Sequence, residues 1–211
     1  MSRQPTLRTD PLTVDVIVDA AYALITEAGL AALSMRRLGA ALGVDPMAVY
    51  HHVPNKRDLL SLVTARVIRT MPLPAADAAW NDRVRDWAMA YRDLAVANHE
   101  LVAAGLADPV VAAGGVPLVA PLIDAVAASG IDLDLVEPTV WLIVDFVHGA
   151  ALGVGATGRN TDDTFDPLRR AFAAGLDTIV AGIAARAAAN RAPSEGFEPP
   201  THGSGNHCSI P

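Results

Sequence analysis

The chain has 211 residues, enough for one large domain or for a small unit fused to a larger one. Hydrophobic residues make up 52% and aromatic residues only 5%, so a core must be built mainly from Ala, Val, Leu and Ile, which favours packed helices over sheets. The net charge of −7 divides into +2 over residues 1–70 and −9 over residues 71–211, so the acidic balance does not exclude a nucleic-acid partner for the N-terminal part.

Residues 1–12 are polar and are expected to form a mobile arm. They hold no apolar core of the signal-peptide kind, so a cytoplasmic location is expected. A first helix is predicted from Thr13, its cap, to Ala28, with Val16, Ile17, Ala20, Ala21, Leu24 and Ala28 on its buried stripe and Gly29 as its stop. Two short helices follow within residues 33–56. Ser34 has the side-chain oxygen that an N-cap needs, and Leu38, Ala41 and Leu42 form an apolar stripe that leaves Arg36 and Arg37 outward. Gly43 stands where a left-handed residue ends a helix. Asp45 caps the next helix, Pro46 takes its first position, and Val53-Pro54 stops it after about two turns. Asn55, with Asp58 three residues on, opens a fourth helix that is apolar on one side as far as Thr70. Pro72 and Pro74 mark a boundary.

Beyond it, Trp80 to Leu106 reads as one long amphipathic helix with a possible kink near Asn98-His99. Pro109, Gly114, Gly115 and Pro117 suggest a loop-rich stretch. Further helices are predicted over about 118–128, 133–155 and 167–189. The apolar run from Val140 to Val154 is interrupted by Asp145 and His148, so no membrane span is expected. From residue 191 onward Pro, Gly and Ser dominate, which predicts a disordered tail. The lone Cys208 lies in that tail and excludes an internal disulfide. The fold class is therefore all-α, with an N-terminal three-helix helix-turn-helix unit over 13–71 and a helical body over 72–190.

Over residues 13–70 the chain resembles the tetracycline-repressor (TetR) family of bacterial regulators. The segments Leu-Ser-Met-Arg-Arg-Leu-Gly-Ala-Ala-Leu-Gly-Val (33–44) and Val-Tyr-His-His-Val-Pro-Asn-Lys-Arg-Asp-Leu-Leu (49–60) carry the likeness. Across the body the resemblance is one of architecture alone. It implies a homodimeric DNA-binding regulator, most simply a repressor, set on a palindromic double-stranded operator with its two recognition helices in successive major grooves. It also implies a small, largely apolar effector in the body, and dimerisation through the helices near 133–155 and 167–189. On this resemblance Ser34, Met35 and Arg36 start the helix that approaches the DNA. Pro46, Met47 and Ala48 open the recognition helix, Tyr50, His51 and His52 form its contacting face, and Lys56 meets the backbone. Pro46, Met47 and Ala48 stand where relatives often carry polar readers, so contact with thymine methyls is the expected readout there.

Asp145 and His148 fall three apart on one face of an otherwise apolar helix. They fit either a satisfied polar pair, in the core or the dimer seam, or polar anchors of an effector pocket walled by Trp87, Tyr91, Trp141 and Phe146, with His99 as a third polar candidate. A metal site from His99, Asp145 and His148 is not expected, and neither is a cofactor. Gly153-Val-Gly155-Ala-Thr-Gly158 matches G-x-G-x-x-G in letters, but a helical run precedes it where a nucleotide site needs a strand. Gly149 and Gly153 read instead as points where helices come close, and Gly155 and Gly158 as a helix end. No serine has a nucleophile setting, so an enzyme is not expected. A helical enzyme or scaffold that uses the body's pocket is the alternative.

Overall fold

The computed structural model describes residues 11–157 and 167–191. The expectations for residues 1–10, for Gly158 and the polar stretch 159–166, and for the tail with Cys208 lie outside the described residues.

Thr13 caps α1 (Val14–Ala28), its Oγ1 accepting from Val16 N at 3.3 Å. The buried line of α1 is Ile17, Val18, Ala21 and Ile25. It is turned by one residue from the expected stripe. Val16, Ala20 and Leu24 lie at its edge and Ala28 is exposed, because one helical face can meet only the side on which its neighbours pack. A single 3-10 turn (Leu30–Ala32) leads to α2 (Met35–Leu42), α3 (Pro46–His52) and α4 (Lys56–Ile68).

The body begins with α5 (Trp80–Ala97) and α6 (His99–Ala107). The kink expected near Asn98-His99 is a full break at Asn98, whose backbone (φ −125, ψ 35) leaves the helical region while its Nδ2 donates to Leu94 O at 2.8 Å. The stretch expected to be loop holds α7 (Pro109–Ala113) and a 3-10 turn (Val116–Leu118). Proline suits the first turn of a helix, and Asp108 caps this one by accepting from Val110 N at 2.9 Å. Then come α8 (Ala120–Ala127), α9 (Leu133–Thr157) and α10 (Pro167–Arg191). Gly155 does not end α9, and no strand occurs among the described residues, so the G-x-G-x-x-G letters have no nucleotide-binding context.

Among the described residues, buried apolar side chains form two clusters. One gathers α1 to α4 from Ile17 to Val67 and takes in Leu101 of α6 and Val111 of α7. The other runs from Met71 through α5, α8, α9 and α10 to Ala187. By length and composition, the segments Leu133–Val154 and Pro167–Arg191 are each apolar enough to cross a membrane, and much of each is left uncovered in the single chain. Trp141 (47% exposed) and Leu142 (56% exposed) lie on that uncovered surface of α9.

Candidate DNA-reading face and effector cavity

The helix pair α2–α3 is fixed by local chemistry. Ser34 Oγ accepts from Arg37 N at 3.2 Å, and Asp45 Oδ1 accepts from Met47 N at 2.8 Å with Pro46 in the first turn. Gly43 takes the left-handed conformation (φ 70) that a side chain would oppose. Gly39 permits the tight crossing, since a Cβ there would sit 3.1 Å from both Pro46 N and Val44 O. Leu38, Leu42 and Val49 are turned into the core, and Val53 N closes α3 on Val49 O at 2.9 Å.

That packing decides what faces outward. Arg36, Arg37, Ser34, Tyr50, His51 and His52 are exposed, Met47 is 61% exposed, and Pro46 and Ala48 are half-buried beside them. Met35 departs from its expected place. It is buried in the N-terminal core at the first position of α2, because the turn that points Arg36 and Arg37 outward carries Met35 inward. Lys56 is half-buried and its Nζ donates to Leu33 O at 2.7 Å. An ammonium has three donors, so two remain for a phosphate. The face thus offers guanidinium forks, a phenol hydroxyl, imidazoles and a thioether methyl group, which are the groups suited to phosphates, base edges and thymine methyls.

Among the described residues, three contacts brace the N-terminal unit to the body. Arg57 on α4 holds Asp108, with Nη2 to Oδ1 at 2.8 Å. That hydrogen-bonded pairing keeps the Asp108 carboxyl below the usual carboxylate range and raises the Arg57 guanidinium. Glu100 Oε2 on α6 accepts from Leu30 N at 2.6 Å, in the turn between α1 and α2. Gly114, just past α7, lies so close to α4 that a Cβ would stand 2.2 Å from Ser61 O.

Behind these braces lies a cavity of about 390 Å³. Thr64, Val67 and Ile68 of α4 form one wall, and Trp87, Tyr91, Trp141, Asp145 and His148 form much of the opposite side. Trp87 is fully buried and fixed by Nε1 donating to Leu118 O at 3.0 Å. Trp141, Asp145 and His148 recur at i, i+4 and i+7 and share one face of α9. His148 pairs not with Asp145 but with α5, its Nε2 lying 2.6 Å from Tyr91 Oη. Burial pushes the Tyr91 hydroxyl up to about 12. Burial also lowers His148, partly opposed by the Asp145 carboxylate, so both side chains are neutral near pH 7. Two expected residues lie elsewhere. His99 is not part of the lining, because the break at Asn98 puts Asn98 there instead. Phe146 stacks on Phe172 with ring centroids 4.7 Å apart and presses against Gly175. Among the described residues no group of three or more His, Cys, Asp or Glu side chains is placed to hold a metal.

The model of "Bacterial regulatory proteins, tetR family" matches residues 17–63. The HTH-type transcriptional repressor DrrR1 of Streptomyces coeruleorubidus is 40% identical over 97 residues, covering 44% of this chain and 35% of that protein. The chain thus matches little more than a third of the length of this curated relative. Solved structures match further. BioQ of Mycobacterium smegmatis superposes with a TM-score of 0.71 at 30% identity over 83% of this chain and 99% of that one. BioQ with its natural double-stranded DNA operator gives 0.69 at 29% identity, with the same coverage. ActR of Streptomyces coelicolor in complex with (S)-DNPA gives 0.68 at 27% identity over 84% of this chain and 100% of that one.

Proposed function

This chain belongs to the tetR family of bacterial regulatory proteins, and on that premise we propose that it is a cytoplasmic, homodimeric transcriptional repressor released from a palindromic operator by a small molecule. The observation that carries the reading is the outward face of α2–α3: Arg36, Tyr50, His51 and His52 stand exposed on a helix pair capped at each start and turned by Gly43. The operator complex of BioQ supports double-stranded DNA as the partner. In this reading Arg36 reaches a base edge or a phosphate, Tyr50 and the histidines contact the backbone and bases, Met47 and Ala48 meet thymine methyls, and Ser34, Pro46 and Lys56 position the unit. Residues 13–71 form the reader and 72–190 the effector-binding and dimerising body.

The exposed apolar surface of α9 and α10 supports dimerisation, since helices left uncovered on an apolar side gain by packing into a bundle with a second copy. The cavity is the effector site, and α4 is both its wall and the last helix of the reader. An effector moves the equilibrium only by preferring the arrangement in which the two readers no longer match successive grooves. The family relatives are named as regulators, which favours action through binding over turnover.

The test is selection of genomic fragments bound by the full chain, repeated at several salt concentrations. The affinity of the Arg36→Ala, Tyr50→Ala double variant is then measured on the recovered site. A loss of at least tenfold and a shallower salt dependence are expected. Undiminished affinity in that variant overturns the reading.

A further inference from the structure

The polar groups around the cavity carry information about what fills it. Of the described residues that line it only Asp145 bears a formal charge, and Asp145 is exposed; no lysine or arginine is among them. Two buried polar atoms of lining residues have no hydrogen-bond partner among the described residues, Thr64 Oγ1 on α4 and His148 Nδ1 on α9. Both are uncharged donors or acceptors at neutral pH.

The Tyr91–His148 contact sharpens this. If His148 carries its proton on Nδ1, Nε2 accepts from the Tyr91 hydroxyl, and the couple is left with a free Nδ1–H donor and the lone pairs of Tyr91 Oη. If the proton is on Nε2, it is donated to Tyr91 Oη, and the free groups become the Tyr91 O–H donor and the Nδ1 acceptor. Either tautomer leaves one donor and one acceptor, and the couple can exchange them to suit a hydroxyl or a carbonyl. An anion would leave water with no cation among the described residues to meet it and Asp145 to repel it. A cation would find the faces of Trp87, Tyr91 and Trp141 and a carboxylate that water already solvates, but no buried anion among the described residues to offset its lost hydration.

We infer that the cavity takes an uncharged, largely apolar ring system bearing a hydroxyl or carbonyl group that hydrogen-bonds to the Tyr91–His148 couple. This rests on the reading of the cavity as the effector site, and deepens it. The volume of about 390 Å³ suits a frame of two or three fused rings.

A matched set of fluorescent probes tests it on the full chain: 9-anthracenemethanol, 9-methylanthracene, 9-anthracenecarboxylate and 9-anthracenylmethyl-trimethylammonium. Binding is read as energy transfer from the lining tryptophans Trp87 and Trp141. The alcohol is expected to bind at least tenfold more tightly than each of the other three. In the Tyr91→Phe, His148→Phe double variant, checked for fold by circular dichroism, the alcohol's lead over the methyl compound should shrink to within twofold while the methyl compound binds unchanged. A lead by the carboxylate or the ammonium overturns the class of effector and leaves the cavity standing as its site. An alcohol lead that survives in the double variant overturns the couple as anchor. No transfer from any probe overturns the cavity as the effector site, and the proposed class with it.

Discussion

Gly114→Ala should weaken the fold through one contact. Gly114 is buried at the end of α7, and its helical backbone (φ −60, ψ −24) is open to alanine, so the cost is not conformational. It is steric. The added Cβ would lie 2.2 Å from Ser61 O, 3.0 Å from Ser61 C and 3.1 Å from Ala65 N, all of them backbone atoms of α4. No rotamer change can relieve a clash with backbone, so α4 and the end of α7 must part by on the order of 1 Å to restore van der Waals separation. Overpacking of this kind costs about 1–3 kcal/mol, while alanine returns about 0.4–1 kcal/mol by restricting the unfolded chain. The net loss centres near about 1.3 kcal/mol, within a span of roughly 0–2.6, which for a chain of this size lowers Tm by about 3–5 °C at the centre. The measurement is a thermal melt followed by far-ultraviolet circular dichroism, with the urea midpoint beside it. Gly105→Ala is the control, since its Cβ would meet only Ala112 Cα at 3.7 Å and Ala112 N at 3.8 Å, ordinary contact distances. It should leave Tm unchanged or raised. A Gly114→Ala protein as stable as the parent would refute the claim that this close approach sets the spacing of α4 and α7.

Two further outcomes follow from the body. His148 has a folded pKa below its ordinary value of about 6.5, so between the two values the unfolded chain binds more protons. That contribution to stability is therefore present above about pH 6.5 and is lost as pH falls through the folded pKa. The urea midpoint should drop over this window, and His148→Phe should flatten the drop; an unchanged slope in the variant removes His148 as its source. On α9, Gly149→Ala has open space around the new Cβ among the described residues. If the dimer seam passes there, the methyl group should raise the dimer dissociation constant at least tenfold in sedimentation equilibrium. If it does not, the substitution should leave the dimer intact and stabilise α9 by about 0.5–1 kcal/mol.

The reader was legible because its instructions are local. Ser34, Gly43, Asp45, Pro46 and Val53 each act on backbone groups within four residues, and the structure uses each in that way. Met35 is the exception, since the caps give the start of α2 but not the side on which its first residue meets the core. The cavity was half legible. Trp141, Asp145 and His148 follow from helical spacing, whereas the turn at Asn98 that excludes His99 depends on an amide bonding back to Leu94 O. The braces were not legible at all. Glu100 and Leu30 are 70 residues apart, and Arg57 and Asp108 are 51 apart. Pairings over such distances leave no periodicity to find. Even the short α7 passed for loop because its helix-breaking residues serve as its first position and its end.

In the proposed function these braces set the terms on which an effector could act. To take a dimer from almost fully operator-competent to almost fully released requires a differential binding energy of about 5.5 kcal/mol, or roughly half of that from each of two effectors. An effector obtains this only from contacts that differ between the two arrangements. Trp87 is fully buried and held by Leu118 O, and Tyr91 is paired with His148, so the α5–α9 side of the cavity is already fixed by its own packing. In the proposed function the wall left to carry the difference is α4, through Thr64, Val67 and Ile68. At its start α4 is tied to Asp108 by Arg57 and to Leu33 O by Lys56, and at its middle Ser61 rests on Gly114. A helix pinned at its start and middle is not free to slide as a whole, so in the proposed function pressure on Thr64 to Ile68 is expected to turn it about those contacts. Arg57 sits at that pivot, so in the proposed function the ion pair that holds the reader on the body is expected to convert a small displacement inside the cavity into a rotation of α3.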